Sequence, residues 1–223
     1  MRLSTLAAAA IVGLGLVSAA HAERLTDQPL VDAAWLQQNL GNESLVVLDV
    51  RDAVENVQPY ASAHIPGAIS APYATSGWRQ EVQGVPGQFP GEEAAAQLIG
   101  NLGISNDDHV VIVAQGTDSS EFGAATRVYW TFKVLGHDAV SILNGGARAW
   151  EAAGGEVTDV ATVLEPTTFT SNFRQELLAT TADVQAALAM LAPIWGYEPL
   201  LDIDDETARE NLARASVMAL SYV

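Results

Sequence analysis

Residues 110–130 read VVIVAQGTDSSEFGAATRVYW and combine an apolar strand, a short polar loop and an apolar helix. This layout is common at anion-binding sites, because the first N–H groups of a helix have no partner within the helix. The loop contains the carboxylates Asp118 and Glu121 but no cysteine, and the rest of the chain has no cysteine either. The missing cysteine excludes a thiol nucleophile, disulfides and cysteine-containing zinc sites.

Short apolar strands alternate with helices along most of the chain. The predicted strands are LVVLDV at 45–50, HVVIVAQ at 109–115 and AVSIL at 139–143, and the predicted helices cover 32–40, 92–101 and 122–135. The glycine- and proline-rich GVPGQFPG at 84–91 predicts a surface loop. This alternation indicates an α/β fold with a parallel sheet and helices on both faces.

Composition and charge limit the partners of the chain. Its 223 residues carry a formal net charge of −17 and include one lysine, Lys133. Such an acidic protein repels nucleic acid, so no nucleic-acid partner is expected. The histidines beyond the first residues, His64, His109 and His137, are too far apart in sequence for a recognisable metal motif. We expect neither a bound metal nor another cofactor.

Residues 1–22 have the features of a signal peptide. Arg2 precedes an apolar run from Leu6 to Val17, and Ala20-His21-Ala22 fits the small-x-small cleavage pattern. We expect a mature protein that starts near Glu23, is periplasmic or secreted, and has no membrane span after cleavage. The alternative is an uncleaved membrane anchor, for which the apolar run is short.

The pattern of the first helix and strand returns near the end of the chain. ADVQAALAML followed by PLLDID repeats the arrangement of VDAAWLQQNL followed by LVVLDV, with Asp202 in the place of Asp49. We therefore predict one complete domain at 28–160 and a partial second domain at 166–223. A chance similarity between two helix–strand units is the alternative, since such units are common in α/β chains.

Three motifs resemble those of a known family. LDVRD at 48–52, YASAHIPGAIS at 60–70 and RVYWTFKVLGHDAVSILNGGARAW at 127–150 are similar, in this order, to the first domain of tandem rhodaneses, the thiosulfate sulfurtransferase family. The resemblance covers about residues 28–157. It implies a rhodanese-like fold in an exported sulfur-transfer protein of two similar domains. It also implies that the catalytic cysteine lies in the second domain and that the first domain is a structural partner.

The family's chemistry requires a thiolate that takes the outer sulfur of thiosulfate and carries it as a persulfide. The resemblance places Gln115 or its neighbours where a catalytic cysteine would lie. The degenerate loop comprises Gln115, Gly116, Thr117, Asp118, Ser119, Ser120 and Glu121. Asp118 and Glu121 repel an anion, so only the backbone and Arg127 favour one. We predict no catalytic residue in this loop, and either a protein partner or a small sulfur oxyanion as the ligand.

Two further residues are candidates for binding. Arg51 follows a strand at the edge where α/β sheets bind ligands, although it can equally form an ion pair with Asp49 that fixes the loop. His64 can act as a general base or hold the turn before Ile65 by hydrogen bonding. A hydrolase using Ser119 or Ser120 with His64 is disfavoured, because neither a nucleophile elbow nor a third partner is evident.

Overall fold

The computed structural model describes residues 24–53 and 59–195, with side chains in the last helix described as far as 188. The strands are β1 (Leu30–Val31), β2 (Leu45–Asp49), β3 (Ile69–Ser70), β4 (Gln80–Val82), β5 (Val85–Gln88), β6 (His109–Val113) and β7 (Val140–Leu143). The helices are α1 (Ala33–Asn39), α2 (Pro59–Ser62), α3 (Glu92–Asn101), α4 (Ser119–Val134), α5 (Gly146–Ala152) and α6 (Thr181–Trp195). A single 3-10 turn covers Gln175–Leu177 within these ranges.

A five-stranded parallel sheet in the order β1-β7-β6-β2-β3 forms the centre of the fold. Every residue of β6 is buried, so the apolar run that predicted this strand is covered on both faces of the sheet. On one face, Val111 and Val113 belong to the same apolar cluster as Leu36 of α1 and Trp150 of α5. The predicted α/β class with a parallel sheet is therefore confirmed.

Two elements differ from the sequence-based expectation. Residues 84–91 are not simply a loop, because Val85–Gln88 pairs antiparallel with Gln80–Val82. Gln83 and Gly84 both have positive φ angles, of 52° and 79°, and two such residues make the type I′ turn that favours a hairpin. Helix α4 also begins at Ser119 rather than 122, since the Asp118 carboxylate caps it.

The segment of residues 156–174, here called the wrapping segment, returns across the domain after α5. The backbone of Thr158 exchanges hydrogen bonds of 2.9 Å with that of His64. Further along, Thr167 N–H donates to the Gly100 carbonyl at 2.9 Å, and Arg174 N–H donates to Val134 at 2.7 Å. The first compact unit consequently extends to Arg174, beyond the predicted boundary at 160.

The second compact unit comprises Gln175–Val223, of which the structure describes residues 175–195. Its helix α6 begins with Thr180 and Asp183 in reciprocal hydrogen bonds between side chain and backbone. The predicted signal peptide and the end of the predicted second domain lie outside the described residues, and both stay predictions. No helix in the described ranges has the length and apolar character needed to cross a bilayer.

Candidate functional site

The carboxyl ends of β2 and β6 bring two loops together. The strands run parallel with Asp49 opposite Val113, so residues 50–52 and 114–118 leave the sheet side by side. A cavity of about 80 Å³ lies between them, lined by residues of both loops and by Glu121 and Ala124 of α4. A hollow of about 230 Å³ lies between the second loop and the Gly145–Gly146 turn.

Arg51 is committed to contacts within the domain. Its Nε lies 3.0 and 2.9 Å from the two carboxylate oxygens of Asp49, and its Nη2 donates to the same carboxylate at 2.6 Å. Asp49 is 1% exposed and Arg51 6% exposed. Nη2 also donates to the Ala63 carbonyl at 2.8 Å, which leaves Nη1 to reach the Gln115 side chain at 3.3 Å. The structure therefore contains the expected ion pair, and the charge of Arg51 is already neutralised.

The backbone N–H groups of the second loop donate to its own carboxylates. Thr117 N–H donates to Glu121 at 2.7 Å, and the Thr117 hydroxyl donates to the other oxygen of the same carboxylate at 2.7 Å. Ser120 and Glu121 N–H donate to Asp118 Oδ1 at 2.7 and 3.0 Å. These are the donors that would otherwise contact a bound anion at a helix N-terminus. The two acids therefore fill the anion position as well as repelling an anion.

The backbone of this loop is fixed by glycines. Gly116 has a φ of +85°, and a Cβ atom there would collide with the Gly145 carbonyl. The turn after β7 is held to the loop by hydrogen bonds from Ala147 N–H to the Ala114 carbonyl at 2.8 Å and from Arg148 N–H to the Gln115 carbonyl at 3.1 Å. The side chain of Gln115, where the resemblance places a cysteine, thus lies on a rigid backbone.

His64 has a structural environment. The side chain is 2% exposed, and its ring stacks on Tyr60 with 3.8 Å between ring centroids. Nδ1 lies 2.6 Å from the Tyr60 carbonyl and Nε2 lies 3.1 Å from the Val160 carbonyl. Both ring nitrogens therefore face backbone carbonyls, and neither is available to activate Ser119 or Ser120. This arrangement agrees with the turn-holding alternative rather than with a general base.

Arg127 does not lie where it could favour an anion at the loop, as the sequence predicted. It lies two turns beyond the start of α4, which is about 12 Å along the helix axis. Its Nη2 donates to the Gly87 carbonyl at 3.2 Å, and its guanidinium lies 4.9 Å from the Trp130 ring centroid. Burial lowers the pKa of Arg127, Tyr73 raises it, and Arg79 lowers it further. The sequence did not associate Arg79 with Arg127, because only the folded hairpin brings them together.

The three predicted binding residues thus lie in different environments, with Arg51 between the loops, His64 against the wrapping segment and Arg127 beside the hairpin. Sequence spacing could not separate them, because each contact joins residues 12 to 96 positions apart. Within residues 24–53 and 59–195, no group of three or more His, Asp or Glu side chains is placed to hold a metal ion.

Curated relatives and solved structures agree with this fold. The chain is 36% identical over 137 residues to thiosulfate/3-mercaptopyruvate sulfurtransferase 2 of Arabidopsis thaliana, covering 59% of this chain and 38% of that protein. It is 35% identical over 159 residues to the thiosulfate sulfurtransferase of Rattus norvegicus, covering 68% of this chain and 52% of that protein. The crystal structure of a 3-mercaptopyruvate sulfotransferase from Escherichia coli has a TM-score of 0.61 and 24% identity, covering 73% of this chain and 64% of that one. The chain thus spans between about a third and a half of the length of these two curated relatives.

A short match points to a different protein. A segment of 41 residues, which is 18% of this chain, is 88% identical to a Mycobacterium tuberculosis protein described as a citrate synthase. The match covers 11% of that protein. It is therefore a similarity of one segment and not of a domain.

The chain also matches a family description. Residues 32–153 match the rhodanese-like domain, which is more than half of the chain. The matched range contains the strand pair β2 and β6, both loops at their carboxyl ends, and α4. The chain therefore belongs to the rhodanese-like domain family.

Proposed function

We propose that this chain is a rhodanese-like protein that does not transfer sulfur itself and acts as a binding or structural module. The observation that carries the proposal is the loop after β6. The resemblance places Gln115 or its neighbours where the thiol would lie, and the chain contains no cysteine from which a persulfide could be made. Its backbone N–H groups at Thr117, Ser120 and Glu121 already donate to the carboxylates of the same loop.

The chemistry of sulfur transfer supports this proposal. A thiolate attacks the outer sulfur of thiosulfate, a sulfur–sulfur bond forms, and sulfite leaves with the electron pair of the broken bond. Cyanide then takes the outer sulfur as thiocyanate and the thiolate is regenerated. Amide, hydroxyl and carboxylate groups cannot carry sulfur in this way, because they lack a polarisable thiolate. The side chains of residues 115–121 are of these three kinds or glycine.

A second candidate function is the inactive domain of a larger sulfurtransferase. The observation that favours it is coverage, because the matched residues correspond to 38% of the Arabidopsis and 52% of the rat sulfurtransferase. In this case the thiolate belongs to a different domain, and the domain described above forms a wall of the shared cleft. A complete native protein with a cysteine outside these 223 residues would favour this candidate.

We also propose export, from the sequence of residues 1–22. N-terminal sequencing of the native protein should find Glu23 or a residue near it at the start, in the periplasm or medium. A soluble cytoplasmic protein that retains Met1 would contradict the export proposal.

The catalytic proposal is tested by cyanide-dependent formation of thiocyanate from thiosulfate. The purified full chain should show the same rate as a protein-free blank, whereas the rat thiosulfate sulfurtransferase should be active under the same conditions. Turnover above the blank that co-purifies with the chain through two different chromatographic steps would overturn the proposal.

A further inference from the structure

Two arginines lie beside the β4–β5 hairpin. Arg79 precedes β4, and its guanidinium lies 4.9 Å from the Tyr73 ring centroid. Arg127 on α4 lies at the same distance from the Trp130 ring centroid. The hairpin links the two arginines, because Gln80, next to Arg79, pairs with Gln88, next to the Gly87 carbonyl that Arg127 contacts. Arg79 also lowers the pKa of Arg127, after the larger effects of burial and Tyr73. Arg79 is exposed and Arg127 is half-buried, so both side chains reach the protein surface.

The charge of this pair is not neutralised by the described residues. The cations that do form ion pairs there are Arg24, Arg51, Lys133 and Arg174. Within residues 24–53 and 59–195, neither Arg79 nor Arg127 forms an ion pair with a carboxylate. The whole chain has 27 acidic residues against 10 lysines and arginines, so acidic side chains are abundant. Two guanidinium groups at one hairpin, with no carboxylate partner among the described residues, favour a bound anion.

Arg127 is held in position before any ligand binds. One nitrogen donates to the Gly87 carbonyl at 3.2 Å, and the guanidinium plane is supported by Trp130. Its buried Nε makes no hydrogen bond with the described residues. Phe89 packs edge-on against Trp130, with 5.3 Å between ring centroids, and so supports the ring under the guanidinium. Fixing a charged side chain in this way lowers the entropy lost on binding.

We propose that Arg79 and Arg127, with Tyr73 and Trp130 beneath them, form a surface site for an oxyanion group. The ligand class is a carboxylate or a sulfur oxyanion, which accepts charge-assisted hydrogen bonds from guanidinium nitrogens. Neither arginine lines the two cavities at the carboxyl edge of the sheet, so the site is separate from the loop of residues 115–121. The inference rests on the proposed function in that the site binds its ligand without reacting with it.

The oxyanion group that binds at this site can come from two sources, a free sulfur oxyanion or the acidic side chains of a partner polypeptide. Isothermal titration of the full chain with thiosulfate and, separately, with hexaglutamate distinguishes them, each at constant ionic strength adjusted with sodium chloride. Binding of thiosulfate assigns the free ion, and binding of hexaglutamate alone assigns a polypeptide. If the wild-type chain binds neither probe, the proposal is wrong.

Variants test where the probe binds. Arg79→Gln and Arg127→Gln should each weaken binding about tenfold, because each removes one charge-assisted contact. Arg148→Gln is the matched control, since Arg148 is an exposed arginine on α5, and its affinity should stay within about twofold. An equal loss in the control would show that net charge, and not this site, determines binding. Arg79 is exposed, so its variant remains informative if Arg127→Gln unfolds the protein.

Failure of this inference differs from failure of the proposed function. The titration measures binding and is independent of turnover, whereas the thiocyanate assay measures turnover alone. A chain that transfers sulfur but loses thiosulfate binding in Arg79→Gln would contradict the proposed function and support the oxyanion site.

Discussion

The loops after β2 and β6 leave the same edge of the sheet and use charge in different ways. After β2, Arg51 and Asp49 are buried and neutralise each other. After β6, Asp118 and Glu121 are bound by N–H groups of their own exposed loop. The first arrangement stabilises the domain, and the second fills a place where an anion would bind. Neither loop keeps a charge for a substrate, which is the arrangement that the proposed non-catalytic role requires.

The largest effect should come from breaking the pair in the first loop. Arg51→Ala should lower the free energy of unfolding by about 3–5 kcal/mol, because it leaves the Asp49 carboxylate buried with a backbone N–H but no cation. Urea denaturation measures this change. The double variant Asp49→Leu with Arg51→Met should be much closer to wild type, since no charge is left unpaired. If Arg51→Ala were as stable as wild type, the ion pair would not be needed for the stability of the first loop.

The loss of stability in mild acid should depend mainly on His109, the first residue of β6. Burial lowers the pKa of His109 from 6.5 to about 4, with smaller contributions in the same direction from His137 and Arg24. The unfolded chain therefore binds a proton that the folded chain does not. The stability due to neutral His109 is complete above about pH 6.5 and should fall by about 3 kcal/mol as the pH approaches 4.

A variant of His109 tests whether this histidine, and not the carboxylates of the loop, causes the pH effect. Urea denaturation at pH 7 and pH 4.5 should show a smaller difference for His109→Gln than for wild type. Burial also lowers the pKa of His137, so some pH dependence should remain in the variant. If the variant and the wild type lost the same stability between these pH values, His109 would not be the titrating group.

A smaller effect is expected in the second loop. Asp118→Ala removes the acceptor of the Ser120 and Glu121 N–H groups and should lower the free energy of unfolding by about 1 kcal/mol. Ser119→Ala is the control, because Ser119 is exposed and its side chain is not the cap. Thermal melting should place the control near wild type. Equal losses in both variants would show that the loop lacks the described cap.

The sequence predicted the centre of the fold better than its boundaries. The apolar run that gave 109–115 forms a strand at His109–Val113, and the helix predicted at 92–101 matches α3. Buried β-branched runs are unambiguous because both faces of their strand are covered. The hairpin at 80–88 was missed, because its glycines read equally well as loop residues and the Gln83–Gly84 turn has no strong motif.

The candidate site residues stay predictions. The resemblance located the loop at 115–121, and composition showed that it lacks a thiol. The hydrogen bonds from Thr117 to Glu121 depend on the fold of the loop and could not be read from sequence. Arg127 was assigned to the loop because it shares a helix with it, whereas the hairpin that it contacts lies 40 positions away in sequence.

The two copies of the predicted repeat differ at the start of their helices. In the first copy Asp32 is the N-cap of α1. Its counterpart Asp183 lies inside α6, two residues after the first helical position, and Thr180 precedes the helix. The second-domain interpretation stays a prediction, with a chance similarity of two helix–strand units as the alternative.

The smallest effect should come from this C-terminal unit. Residues 181–188 of α6 are nearly all exposed, so they contribute few buried contacts. Removing residues 175–223 should change the melting temperature by less than about 2 °C, as followed by circular dichroism. A fall of 10 °C or more would show that this unit stabilises the domain that contains both loops.

The central claim concerns the loop after β6, which lacks a thiol and fills its anion position with its own acids. The direct measurement is the rate of thiocyanate formation from thiosulfate and cyanide by wild type, Gln115→Cys and the triple variant Gln115→Cys/Asp118→Gly/Glu121→Ser. Wild type should be inactive, and the single variant should stay near the blank because two adjacent carboxylates raise the pKa of the new thiol and repel the dianion. The triple variant should show measurable turnover, since its N–H groups are released for the substrate. Turnover by wild type, or equal rates in the single and triple variants, would contradict the account.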